Sequence, residues 1–260
     1  MSTQAVAGNN AIDVRERVGE AEWRVRGELA AAHRLLANFG YVDLTYNHVS
    51  VRVPGAHDQF LLKADNLLFE QVNASNLVRY DLDGNITLEN GFKSSMAAFN
   101  LHVSVLEARD DIMAVVHTHT PANLAVSAHR RGLLPISQQA MRFYNRIAYH
   151  KNAANDATRE GSRDIADALG DKWTMLLENH GAVVCGATLA EAYIYHHFLE
   201  LACRAQANAV GAGDELIIPP DEVCEQRAEV AGRHGVYDSD SRDWQASMLF
   251  AEHHFPDFKQ

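Results

Sequence analysis

Cysteine is scarce in this sequence, and its spacing excludes two kinds of structure. Among 260 residues there are three, Cys185, Cys203 and Cys224, and no two of them form a C-x-x-C pair. Disulfide-stapled domains and cysteine-based zinc knuckles need paired cysteines at short spacings. The chain is therefore expected to fold around an apolar core, and its expected location is the reducing cytoplasm.

Long apolar runs and excess positive charge are missing as well. No stretch approaches the roughly 18 apolar residues of a membrane-spanning helix, and no signal peptide is recognisable at the start. The 23 Lys and Arg against 34 Asp and Glu give a net charge of −11. This charge argues against a nucleic acid or an anionic membrane as the main partner. A small-molecule substrate is the expected partner.

The remaining pattern predicts one large α/β domain. Residues 1–19 are polar and aperiodic, which predicts a flexible N-terminal arm, and residues 20–260 show no internal boundary. Strand-like and helix-like segments are intermixed without a regular βαβ rhythm, so a three-layer α/β/α fold with a central mixed β-sheet is expected. Segment Pro135–Tyr149 fits neither a strand nor a helix pattern clearly. The apolar period of Glu20–Asn38 predicts a helix that ends before Gly40, and a capping box at Thr188–Glu191 predicts a long helix to about Val210.

Three of the 14 histidines stand out by their position. His117 and His119 follow the apolar strand Ala114–Val116, and because side chains alternate along a strand, both rings point to one face. His180 lies on a turn, Asn179–Gly181, between two apolar strands. Three neutral imidazoles can bind one divalent metal and leave a coordination position open, as a catalytic site requires. Taken alone, these spacings also fit core histidines that satisfy ordinary hydrogen bonds.

A family resemblance strengthens the metal-site interpretation. In order along the chain, from about Trp23 to Val210, several stretches resemble motifs of the class II aldolase/adducin family: Tyr46–Arg52, Asn73–Leu77, Val115–Thr120 with Ala125–Ser127, Gly132–Ser137, Ala148–His150 and Asn179–Gly181.

The resemblance implies a fold, a metal and an assembly. His117, His119 and His180 are then the ligands of a divalent metal, zinc first, with Mn²⁺, Fe²⁺ and Co²⁺ equally suited to three imidazoles. A homotetramer with sites near subunit boundaries is expected. Family members include sugar-phosphate aldolases, an epimerase, decarboxylases and the cytoskeletal adducins.

The sequence departs from the aldolase pattern at three places. The family's glutamate base lies 19 residues before the first metal histidine, and that count reaches Ala98. The Gly-rich phosphate loop is replaced by Thr45–His48, whose bulk opposes close backbone approach. The family's tyrosine acid falls at Gln139. These changes resemble the adducin-like branch.

Other residues are then needed for acid–base chemistry and for substrate binding. The candidates for catalysis are His48, Tyr144, Tyr149 and His150. The candidates for substrate binding are Thr45, Asn47, Lys63, Gln139 and Arg142. Packing roles for the two tyrosines and a solvated surface charge for Lys63 remain open alternatives. His102 is expected to be a buried structural histidine.

Metal chemistry without the glutamate base favours reactions that break a carbon–carbon bond. Decarboxylation needs no base for a C–H proton, and retro-aldol cleavage needs only a group that takes a hydroxyl proton. The sequence therefore predicts an enzyme, a divalent-metal-dependent carbon–carbon lyase that acts through a metal-stabilised enolate on a small hydroxy or keto compound. The alternatives are a non-catalytic adducin-like scaffold, and a sugar-phosphate aldolase or epimerase with a rearranged base.

Overall fold

The structure is a computed structural model that describes residues 14–151, 158–213 and 215–260. Within these ranges the strands are β1 (His48–Val53), β2 (Ala56–Leu62), β3 (Val78–Asp81), β4 (Ile86–Leu88), β5 (Ala114–Thr118), β6 (Ile147–His150), β7 (Thr174–Leu177) and β8 (Gly181–Gly186). The helices are α1 (Glu20–Asn38), α2 (Met96–Ala108), α3 (Pro121–Ser127), α4 (Gln138–Met141), α5 (Arg159–Leu169), α6 (Leu189–Ala212), α7 (Asp221–Ala231) and α8 (Arg242–His254).

The eight strands form one mixed sheet. Their order is β4-β3-β2-β1-β5-β8-β7-β6, and all neighbours are antiparallel except β6 and β7, which are parallel. The metal-strand candidate β5 therefore lies in the middle of the sheet, between β1 and β8. This central position buries both faces of β5, as its apolar sequence requires.

Helices cover both faces of the sheet, so the predicted three-layer α/β/α fold with a central mixed sheet is confirmed. One apolar core joins α1, α6 and α8 to the face that carries Val116. The other core joins α2 and α5 to the face that carries Val115. Because side chains alternate along β5, His117 lies on the same face as Val115, toward α2.

Most predicted helices and strands are found close to their expected bounds, and the start of α6 shows one difference. The Thr188 side chain accepts the Glu191 N–H at 3.0 Å, as an N-cap should. The Glu191 carboxylate, however, accepts from the N–H groups of Ala187 and Gly235 instead of from Thr188. It therefore ties the start of α6 to the segment after α7.

The undecided segment Pro135–Tyr149 contains the short helix α4, a turn and most of β6. Of the predicted N-terminal arm, residues 1–13 lie outside the described residues. Val14 is buried, and Arg17 donates to the Glu89 carbonyl at 2.6 Å, so the last part of the arm contacts the domain. Among the helices of the described ranges, none is long and apolar enough to cross a membrane.

Candidate metal centre

His117 and His119 meet at the end of β5 with their ring orientations fixed. The His117 Nδ1–H donates to the Ala182 carbonyl at 2.9 Å, across the β5–β8 pairing. The His119 Nδ1–H donates to the Asp43 carboxylate at 3.2 Å. Both Nε2 atoms therefore face each other, 2.8 Å apart.

His180 completes the group from the turn between β7 and β8. Asn179 adopts a left-handed backbone (φ 58°), and Gly181 has φ 148°. A Cβ on Gly181 would collide with the Thr118 carbonyl and lie 2.9 Å from Cδ2 of His119, so only glycine lets this turn approach β5. The His180 ring centre lies 5.1 Å from that of His117 and 4.9 Å from that of His119.

The three imidazoles fit a divalent metal. One nitrogen from each ring lies within 4.8 Å of the others. Burial lowers the pKa of His117 and of His119, so both rings are neutral near pH 7. Two neutral rings whose Nδ1–H groups are engaged elsewhere present two lone pairs to each other, which repel unless a cation lies between them. The neutral donor set is the kind that binds Zn²⁺, Mn²⁺, Fe²⁺ or Co²⁺.

Buried hydrogen bonds hold the ligand segment in place where β5 ends. Asn47 accepts the His119 N–H at 2.9 Å and donates to the Tyr41 carbonyl at 3.2 Å. Glu200 of α6 accepts from the Thr120 hydroxyl at 2.6 Å and from the Asn123 amide at 2.8 Å. The end of the ligand segment, at His119 and Thr120, is therefore anchored by hydrogen bonds.

The three histidines line a cavity of about 320 Å³. The other lining residues are Thr45, Tyr46, His48, Asp65, Ser95, Ala97 and Leu101. Ala98, the position that the family's glutamate spacing reaches, packs in the core and is 3% exposed. Helix α2 therefore presents alanine and leucine to this cavity, and the carboxylate that lines it comes from Asp65.

His48 reaches the cavity from β1, directly opposite His117 in the strand register. Its ring centre is 4.9 Å from that of His117. The His48 Nδ1 contacts the His102 Nε2 at 2.7 Å, and the His102 Nδ1 contacts the Ser50 hydroxyl at 2.5 Å. Burial lowers the pKa of His48 and of His102 well below the ordinary value. His102 is buried, as expected, and it also contacts a residue of the cavity.

Asn47 and Lys63 use their polar atoms within the chain. Asn47 is fully buried, and its side chain is hydrogen-bonded to His119 and Tyr41. The Lys63 ammonium donates to the Ala64 carbonyl at 2.8 Å and to the Leu67 carbonyl at 2.7 Å. Lys63 is 2% exposed, and burial lowers its pKa to about 8, so the alternative of a solvated surface charge is wrong. Substrate binding by these two residues stays a prediction.

The candidates from the second half of the chain lie away from this cavity. The Arg142 guanidinium stacks on the Phe198 ring at 3.9 Å, and the Tyr144 hydroxyl donates to Asp221 at 2.8 Å.

Tyr149 and His150 line a separate cavity of about 560 Å³, where the Tyr149 oxygen accepts the Leu133 N–H. Gln139 lies on α4. The catalytic and binding roles of these five residues remain predictions.

Sequence reasoning missed Asp43 as the hydrogen-bond partner of His119 and Asp65 as a cavity residue. Neither lies in a recognisable motif. Asp65 follows β2 and its N–H donates to the Lys93 carbonyl, and only the fold brings that loop next to the histidines.

Comparison with known proteins defines the class of protein. The model of the class II aldolase and adducin N-terminal domain matches residues 27–207. A Caulobacter vibrioides protein provisionally named as a class 2 aldolase is 37% identical over 211 residues, which cover 81% of this chain and 82% of that protein. Rat alpha-adducin is 38% identical over 206 residues, covering 76% of this chain and 28% of that protein.

Solved structures agree with the sequence comparison. An aldolase II superfamily protein from Pseudomonas syringae superposes with a TM-score of 0.90 at 40% identity, covering 95% of this chain and 99% of that one. An L-fuculose 1-phosphate aldolase from Glaciozyma antarctica has the same fold, with a TM-score of 0.82 at 23% identity and coverage of 98% and 97%. The chain belongs to the class II aldolase/adducin family, and the resemblance seen in the sequence is confirmed.

Proposed function

We propose that this protein is a divalent-metal-dependent carbon–carbon lyase that acts on a small hydroxy or keto compound, by retro-aldol cleavage or decarboxylation. The observation that carries the proposal is the convergence of three imidazoles on one cavity, with two Nε2 atoms 2.8 Å apart and both Nδ1 atoms engaged elsewhere. Family membership adds support, because the class is typically metal-dependent.

His117, His119 and His180 would hold the metal, and we propose Zn²⁺ as its identity. When bound, such a metal supplies Lewis-acid polarisation of a substrate carbonyl and stabilises the enolate left when the adjacent bond breaks. Thr45 and Tyr46 line the same cavity, and we assign to their hydroxyls the orientation of substrate oxygens.

The composition of the cavity wall favours bond cleavage over removal of a C–H proton. Ala97 and Leu101 occupy the wall that α2 contributes, so this helix offers no base. Retro-aldol cleavage requires a group that accepts a proton from a substrate hydroxyl, and we assign that role to the Asp65 carboxylate. Decarboxylation needs no such group.

The first experiment is elemental analysis of the full chain purified without added metal, with His180→Ala and His253→Ala compared to the wild type. His253 is an exposed histidine on α8 and serves as the matched control. About one metal ion per chain, retained in His253→Ala and lost in His180→Ala, is expected. A substrate screen of hydroxy and keto acids then follows, with release of CO₂ or an aldehyde that disappears in His117→Ala. Absence of bound metal after incubation with Zn²⁺ and Mn²⁺ would overturn the proposal.

A second candidate is a non-catalytic scaffold. The 38% identity to alpha-adducin favours it, together with the cavity wall from α2, where Ala97 and Leu101 supply no carboxylate. The two candidates differ in one measurement: a scaffold gives no turnover when fully loaded with metal, whereas the lyase turns over at least one member of the panel.

We further propose that the protein works in the cytoplasm as a homotetramer. Its three cysteines are free and buried, which suits a reducing compartment. Sedimentation equilibrium of the purified chain at several concentrations measures the oligomeric state, and a monomer would contradict the tetramer.

A further inference from the structure

Three buried side chains, Ser50, His102 and His48, form a hydrogen-bonded chain that runs from the interior to the cavity. Ser50 and His48 lie two residues apart on β1, so both point to the face covered by α2. His102 of α2 lies between them, with contacts of 2.5 Å from its Nδ1 to the Ser50 hydroxyl and 2.7 Å from its Nε2 to the His48 Nδ1. Ser50 and His102 are fully buried, and His48 is 8% exposed.

The hydroxyl at the inner end determines the direction of these hydrogen bonds. Among the described residues, the Ser50 hydroxyl has one hydrogen-bond partner, the His102 Nδ1. If His102 donated to it, the hydroxyl hydrogen of Ser50 would be buried without an acceptor, which is costly. Ser50 therefore donates to the His102 Nδ1, the His102 Nε2–H donates to the His48 Nδ1, and His48 carries its hydrogen on Nε2.

At the outer end of this hydrogen-bonded chain, one ring nitrogen of His48 is left to interact with a molecule in the cavity. Because the His48 Nδ1 is used as an acceptor, Nε2 is the ring nitrogen available to a bound molecule. A nitrogen that carries hydrogen cannot coordinate a metal. With hydrogen on Nε2, His48 would lie beside the three ligand imidazoles, its ring centre 4.9 Å from that of His117, without adding a fourth metal ligand.

We propose that Ser50 and His102 are positioning residues that hold His48 as an Nε2–H donor, and that His48 donates this hydrogen bond to a substrate oxygen on which negative charge develops. No proton leaves His48 in this role, because a neutral imidazole acts as an electrophile by hydrogen bonding alone. The substrate part of this assignment rests on the proposed lyase function, and the tautomer part does not.

The tautomer can be measured directly. The ¹⁵N-histidine-labelled, Zn²⁺-loaded full chain is examined by long-range ¹H–¹⁵N correlation, in which protonated and bare ring nitrogens have widely separated shifts. The His48 signals are assigned by their loss in His48→Gln. A protonated Nε2 and a bare Nδ1 are expected in the wild type, and Ser50→Ala is expected to give a mixture of tautomers. Ser104→Ala is the matched control, since Ser104 is a buried serine of α2 whose hydroxyl has no partner in the described chain.

A bare His48 Nε2 in the wild type, or an unchanged spectrum in Ser50→Ala, overturns the proposal. These results do not depend on turnover, so they are distinguishable from failure of the lyase function.

Kinetics test the catalytic part once a substrate is known. His48→Leu should lower kcat by about 10²- to 10³-fold, as loss of an oxyanion donor does. His102→Leu should also lower kcat, and His102→Gln should restore part of the loss because its amide can still donate to the His48 Nδ1. Equal kcat in His48→Leu and the wild type would overturn the donor role.

Discussion

At the scale of single residues, the carboxylate of Asp43 decides how His119 presents its ring. It accepts the Nδ1–H at 3.2 Å, which leaves the Nε2 lone pair directed toward His117. A partner of this kind fixes the tautomer of a metal-binding histidine and raises its basicity.

We expect Asp43→Ala to weaken metal binding by about 10- to 100-fold, the usual effect of losing such a partner. Competition with a chelator measures the affinity. Asp83→Ala, in the turn between β3 and β4, is the control and should bind like the wild type. Equal affinity in both variants would show that Asp43 does not orient His119.

Residue patterns predict the candidate metal ligands, but they do not predict which other residues surround those ligands. Strand alternation is a local rule and predicts that His117 and His119 share one face, and the structure brings both together with His180. The sequence leaves open whether Lys63 is buried or exposed. Its burial depends on hydrogen bonds to the carbonyls of Ala64 and Leu67, which only the conformation of the loop after β2 brings within reach. Asp65 could not be recognised because only the packing of β2 against its neighbours brings that loop to the cavity.

At the scale of elements, α6 stabilises the junction between the ligand strand and α3. The Glu200 carboxylate is fully buried, and it accepts from Thr120 and Asn123, the two members of the α3 capping box. Burial raises the pKa of Glu200, and these two donors oppose that rise. The junction therefore depends on a carboxylate whose bonds come from neutral donors.

Glu200→Gln is expected to lower the free energy of unfolding by about 1–3 kcal/mol, because an amide cannot accept both hydrogen bonds with the same oxygens. Urea denaturation near neutral pH measures the change. Glu70→Gln, at an exposed residue of the turn Phe69–Gln71, should change it by no more than about 0.5 kcal/mol. A similar small change in Glu200→Gln would mean that the junction does not need the carboxylate.

Elements with strong local signals were predictable, and those that depend on distant pairing were not. The helix predicted for Glu20–Asn38 has those bounds, since its apolar face and Gly40 are local features. β6 has four residues and pairs in parallel with β7, which follows α5 in the chain. Such non-local pairing leaves little trace in a short segment, which explains why Pro135–Tyr149 was undecided.

At the scale of the whole molecule, neutral histidines are buried in two of the helices that cover one face of the sheet. His33 of α1 and His196 of α6 are fully buried, and burial lowers the pKa of each to about 3. In the unfolded chain both rings would titrate near 6.5. Between about pH 6.5 and 3 the unfolded state therefore binds more protons, so stability is full above pH 6.5 and falls as the pH decreases.

When the pH is lowered from about 7.5 to about 5, each of these two rings should lower the free energy of unfolding by about 2 kcal/mol. That is a large part of the stability of an ordinary domain. His33→Leu tests this, since it removes the titrating ring together with one hydrogen bond, from Nδ1 to the Leu29 carbonyl, and with an Nε2 that is buried without a partner in the described chain. Urea denaturation at the two pH values should show a decrease in stability about 2 kcal/mol smaller than in the wild type. His253→Leu, which removes an exposed histidine of α8, should leave the decrease unchanged. If His33→Leu lost as much stability as the wild type over this range, the acid sensitivity would have to come from other groups, because removing the His33 ring removes its share of the difference in bound protons.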